Sequence, residues 1–233
     1  MTPVELWLPL GAVAFYLYDA VLMLWQNELV YTRTRHGWLV DGGSALRIGG
    51  RRLFLPQPLL PHRPQFLVRW SSADTRAAQA PVPDELLRAL RPIGVLNLIQ
   101  LWLLVALPVA LWTDGAGLAA LLVFALFYVV TAVALVLMFR RRAMLALTPR
   151  AAWMLALDAI ACAPFAINLT RKLAMQAGIA GEPLRFGSAH FDAATLGRTR
   201  ELVAARVEEQ HADPDAAALR DRELAAVMSR LTH

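Results

Sequence analysis

The chain has 233 residues, 58% of them hydrophobic, and a formal charge of +5. A soluble domain of this size is nearer half apolar; the excess here sits in long runs, which argues against an ordinary soluble domain and for spans separated by polar loops. The one cysteine, Cys162, excludes an internal disulfide and any cysteine-based zinc or iron–sulfur site.

Segment 6–26 is the first apolar run. It is long enough for a bilayer span, which needs about 20 mostly apolar residues, and Asp19 is its one ionisable residue. No Lys or Arg precedes it, so it reads as a retained span and not as a cleaved signal peptide. Trp7 and Trp25 flank it, as interfacial aromatics do.

Segment 27–92 reads as a basic, β-rich cytoplasmic loop domain. Residues 27–93 hold ten Arg against five acids. Residues 44–48 and 51–55 flank Gly49-Gly50, a strong two-residue hairpin signal. That register sets Leu46 opposite Leu53 and Arg47 opposite Arg52. Residues 28–35 and 37–41 supply further strands, with turns at His36-Gly37 and at Asp41-Gly42-Gly43. Pro56, Pro58, Pro61 and Pro64 make 56–64 a stiff connector. Residues 83–91 form a short amphipathic helix, and Pro92 suits the first turn of the next span.

Segment 93–139 is a hairpin of two spans, 93–112 and 118–139, neither with an ionisable residue. The turn 113–117 has only Asp114, whereas Arg140, Arg141 and Arg142 follow the third run. Cytoplasmic loops carry the Lys and Arg excess. Both basic stretches therefore lie inside, and the N-terminus and the 113–117 turn lie outside.

Segment 148–175 holds a fourth apolar helix. Thr148 is its N-cap and Pro149 its first residue. Asp158, Pro164 and Asn168 oppose a full span across 151–169, so it either spans or forms a re-entrant or interfacial helix. The C-terminal tail, 176–233, changes side with that choice. It is polar, with helices near 194–211 and 214–231 split at Asp213-Pro214. The whole reads as an α-helical integral membrane protein with three to four transmembrane helices, a small β-rich cytoplasmic loop domain and a helical tail.

Two groups of residues carry candidate function. An acid within a span is costly and seeks partners. Counted from the inner ends of their segments, Asp19, Asn97, Gln100 and Asp158 fall near one depth. They form either a polar site for a proton, a cation or a headgroup, or a set of interhelical hydrogen bonds that fixes packing. Arg33, Arg35, Arg47, Arg52, Arg140, Arg141 and Arg142 make the second group. Like charges facing each other across a strand pair are destabilising; lipid phosphates would relieve Arg47 and Arg52, the alternatives being two solvated side chains or pairing with Glu28, Asp41 or Asp74.

Other signals are weak. The run from Gly43 to Gly49 lacks the Lys and Ser/Thr of a phosphate-binding loop. There is no dinucleotide fingerprint and no serine in a glycine elbow. His36, His62, His190, His211 and His233 are scattered, and His190 with Asp192 is a weak ligand pair. No catalytic residue, metal site or cofactor is expected.

The leading expectation is an inner-membrane accessory or scaffold subunit. Its partners would be anionic headgroups and another membrane protein or a second copy, with no nucleic acid. The alternatives are a small transporter or channel subunit using the Asp19 layer, and a membrane-bound enzyme acting on lipid-linked substrates.

Overall fold

The computed structural model describes residues 3–69, 84–114, 117–180 and 183–212. The chain is mostly helical, with two small sheets at one end of a helical bundle.

Helix α1 is Pro3–Ala20. It does not continue to residue 26 as the apolar run suggested. Its last residues give way to strand β1, Leu22–Leu24, which pairs antiparallel with strand β5, Arg51–Phe54. The backbone groups of 22–24 that face β5 pair with it, and Leu24 packs with Val30 and Phe54 in a small core of its own. An unbroken apolar run does not distinguish helix from strand, and this is the cause of the difference.

The loop between α1 and the second apolar helix builds both sheets. Strand β2, Glu28–Arg33, pairs with β3, Trp38–Asp41, on one side and with β6, Gln65–Arg69, on the other. Strand β4, Arg47–Ile48, turns into β5 through Gly49 and Gly50. Both glycines have positive φ, which a tight hairpin of this kind requires. Arg47 lies opposite Arg52, the register that turn predicts.

Helix α2, Asp84–Asp114, is a single element of 31 residues, about 46 Å long. The short lead-in helix and the span expected after Pro92 are one helix, with Pro92 and Pro108 both inside it. One buried stripe explains the fusion: Leu86, Ala89, Leu90, Ile93, Asn97, Gln100, Leu101 and Leu104 recur at helical spacing along its length. Helix α3, Leu118–Arg140, packs against α2 along its length. These two helices are long and apolar enough to cross a membrane.

Segment 148–175 is not one helix. Helix α4, Pro149–Ala161, begins at Thr148, whose hydroxyl accepts the Ala151 N–H at 3.2 Å. Pro164 has no N–H to give and its ring would meet the carbonyl four residues back. The chain accordingly leaves helical geometry at Cys162 (φ −132°, ψ 96°) and restarts with Pro164 in the first turn of the short helix α5, Ala163–Ala166. Helix α6, Leu169–Ala177, follows after Asn168.

This broken segment folds back on itself. Trp153 packs on Phe139 near the sheet end of α3, with ring centroids 5.0 Å apart. Cys162 lines the same cavity as Leu107 of α2 and Phe124 of α3. Phe165 then meets Phe15, and Lys172 reaches Asp19 near the end of α1. Strand β7, Ile179–Ala180, pairs parallel with β6. The segment enters and leaves at the sheet end of the bundle.

The tail belongs to the same body. Helix α7, Pro183–His190, inserts Phe186 against Tyr31 and Trp38. Helix α8, Ala193–Ala212, packs on β3. Asp192 caps it by accepting the Thr195 N–H at 2.7 Å, which holds the carboxyl below its ordinary range. The second tail helix expected near 214–231 lies outside the described residues. Tyr31, Phe66 and Val68 of the sheet share one buried core with Leu101, Phe127 and Met138 of the long helices. The loop region and the bundle are therefore packed as one unit.

Candidate functional site

Three of the four predicted polar residues, Asp19, Asn97 and Gln100, gather around the joint at 166–170, where α5 ends and α6 begins. A helix break leaves backbone donors and acceptors without intrahelical partners. In an apolar surrounding those groups must be met by side chains. Asn97, projecting from the buried stripe of α2, meets them from one side. Its Nδ2 donates to the Ala166 carbonyl at 2.8 Å and to Gln100 Oε1 at 2.9 Å. Its Oδ1 accepts the Thr170 N–H at 2.9 Å and the Thr170 hydroxyl at 2.6 Å. That is the full capacity of a carboxamide, two donors and two acceptors. Gln100 passes the chain on, with Nε2 donating to Thr131 Oγ1 at 2.8 Å; that hydroxyl donates in turn to the Phe127 carbonyl of α3. Asn97 and Gln100 are wholly buried.

Helix α1 meets the joint from the other side. Asp19 Oδ1 stands 2.7 Å from Lys172 Nζ, and Oδ2 accepts from Asn168 Nδ2 at 3.2 Å. Asn168 Nδ2 also donates to the Tyr16 carbonyl. Arg171 lies one residue before Lys172 and is 1% exposed. It donates to Asn168 Oδ1 at 2.9 Å and to the Gln57 carbonyl at 2.7 Å. Burial pulls its pKa down, while Tyr16 and Asp19 pull it back up. The Tyr16 hydroxyl donates to the Pro58 carbonyl, so the proline-rich connector is tied to the same joint.

Asp158 does not join this arrangement. It is exposed on α4, whose buried side is made by Ala152, Leu155, Ala156 and Ala159. Of the four residues grouped by depth, Asn97 and Gln100 touch, Asp19 grips the same joint through Asn168 and Lys172, and Asp158 lies apart. Asn168, Thr170, Arg171 and Lys172 are the members that sequence reasoning missed. Their signal was the density of polar side chains in 168–172 directly after an apolar stretch, which reads as a helix flank unless the chain turns back.

The arginines divide by partner. Arg47 and Arg52 share Glu209 of α8, with Arg47 at 2.9 Å and Arg52 in closer contact. The counter-charge for this strand pair is thus internal to the fold. Arg206, 2% exposed, lies on the same cluster and donates to the Gly42 carbonyl. Burial and Arg52 lower its pKa, and Glu209 opposes them. Arg33 stacks over Trp38, 5.1 Å from the ring centroid. Arg141 donates to the Arg88 and Ala89 carbonyls of α2. Arg35, Arg140 and Arg142 are exposed.

An apolar cavity of about 470 Å³ lies between α1, α2, α3 and the break after α4. Trp7, Phe15, Leu107, Phe124, Cys162 and Pro164 are among its walls. Among the described residues its lining carries no charged side chain. Comparison with protein-family models, curated proteins and solved structures finds no match to this chain.

Proposed function

We propose that the chain is a multi-pass inner-membrane protein, N-terminus outside, acting as an accessory or scaffold subunit of a membrane complex. Large apolar side chains are exposed along α1 (Trp7, Phe15), α2 (Trp102, Val105, Val109), α3 (Leu121, Val129, Val136) and α4 (Trp153, Leu157, Ile160). Soluble monomers rarely expose apolar patches of that extent, and such surface suits lipid or a partner helix. At the sheet end, Arg35, Arg140 and Arg142 are exposed to meet anionic headgroups, at about 1 kcal/mol for each basic residue near the surface.

The observation that carries the scaffold reading is that the polar side chains α1 and α2 bring to the joint, Asp19 and Asn97, are engaged in internal contacts. Asn97 makes all its hydrogen bonds within the protein, and Asp19 is neutralised by Lys172. Groups engaged in this way hold helices together; a relay needs a group with an open coordination position. Transport through the bundle has less support for that reason. Purification in a mild detergent, with mass measured by light scattering, tests the proposal. A protein mass above one 25.7 kDa chain, from a partner or a further copy, is expected. A lone monomer under those conditions contradicts it.

A further inference from the structure

Away from the joint, a cleft of about 350 Å³ with one polar and one apolar half, the latter including Leu39, Phe54 and Leu60, opens where the two sheets, the proline-rich connector and α8 meet. Arg63 of the connector and Arg198 of α8 line it, with Gln57, Thr32, Asp41 and Gln65. Gln65 begins β6 and is 4% exposed, yet its Oε1 has no hydrogen-bond partner among the described residues. A buried amide oxygen almost always accepts a hydrogen bond, so this one asks for a donor. Asp41 also accepts; one of its oxygens already takes the Gly43 N–H at 2.7 Å. The two guanidiniums present donor arrays suited to phosphate or carboxylate oxygens. A phosphate presents several acceptor oxygens and carries about −1 charge as a diester and about −1.5 to −2 as a monoester near neutral pH, so either form suits two arginines.

We propose that this cleft binds a small organic phosphate bearing hydroxyl groups, of the glycerol phosphate type. The phosphate sits against Arg63 and Arg198, and a hydroxyl donates to Gln65 Oε1. The same chemistry comes from two sources, free glycerol phosphate and the headgroup of phosphatidylglycerol. The inference goes beyond the scaffold reading and does not depend on it, since a monomer would hold the ligand equally well.

Calorimetric titration of sn-glycerol 3-phosphate into the full chain in phosphatidylcholine nanodiscs is the test. Saturable binding is expected, weakened at least tenfold by Arg198→Gln and by Gln65→Leu. Arg198 is exposed on α8, so its variant folds normally; circular dichroism checks the buried Gln65 variant. Repeating the titration in discs containing phosphatidylglycerol separates the sources: loss of binding to the free compound identifies the headgroup as occupant, and unchanged binding identifies the free phosphate. No binding in phosphatidylcholine discs, or binding by both variants equal to the original, overturns the proposal.

Discussion

Asn97→Ala removes the amide that holds both sides of the joint between α5 and α6. The Ala166 carbonyl and the Thr170 N–H then lie buried without their partner. Each orphaned backbone group costs about 1–3 kcal/mol, so the loss of two lowers stability by about 2–6 kcal/mol. Gln100→Leu removes cross-helix bonds of about 0.6–2 kcal/mol and leaves Asn97 its backbone partners. Thermal unfolding in detergent is expected to rank Asn97→Ala well below Gln100→Leu. The Asp19–Lys172 pair behaves differently, because either single change strands a charge. Asp19→Leu and Lys172→Leu each destabilise, by less than the about 3–5 kcal/mol of a fully buried pair, since the two side chains keep 11% and 21% exposure. The double variant should recover most of that loss, and a thermodynamic cycle on the four proteins measures it. The i,i+3 neighbours Asn97 and Gln100 were legible in the sequence because helical spacing sets them on one face. Their partners Ala166 and Thr170 were not, since nothing in local pattern ties residue 97 to the joint at 166–170.

The long elements were read from apolar length, and the breaks within them were not. The apolar stretches of α2 and α3 follow from length and composition alone, whereas the fusion of residues 84–92 onto α2 does not. The end of α1 at Ala20 does not, because Leu22, Met23 and Leu24 are as apolar as a span and only their pairing with β5 makes them a strand. Pro164 signalled a break in 148–175, but a proline does not tell the chain which way to leave. Gly94 is a related case. The connector passes so close to α2 there that a Cβ would sit 2.9 Å from the His62 carbonyl oxygen. Gly94→Ala should therefore cost about 1–3 kcal/mol through overpacking. Gly11 of α1 has nothing within 4 Å of the same position. Gly11→Ala gains helix propensity instead and should leave the melting temperature unchanged or raised. Melting the two variants side by side checks this opposition of sign.

At the scale of the whole molecule, the main core runs through the loop region, the bundle and the tail, with a small second core at Leu24, Val30 and Phe54. The loop region, the folded-back segment and the tail meet at the sheet end, where β6 accepts β7 and Glu209 of α8 answers Arg47 and Arg52. The basic loop and the polar tail looked separable in the sequence because charge and composition differ between them; the long-range pairing that joins them leaves no compositional mark. The account rests on segment 148–175 turning back, so that the tail shares a side with the loop region. Single cysteines in a Cys162→Ser background test this most directly. Arg35→Cys, Thr113→Cys and Arg200→Cys sit at exposed positions after β2, at the far end of α2 and on α8. In intact spheroplasts a membrane-impermeant maleimide should label Thr113→Cys alone, and all three after permeabilisation. Labelling of Arg200→Cys together with Thr113→Cys in intact spheroplasts, with Arg35→Cys protected, would contradict the account.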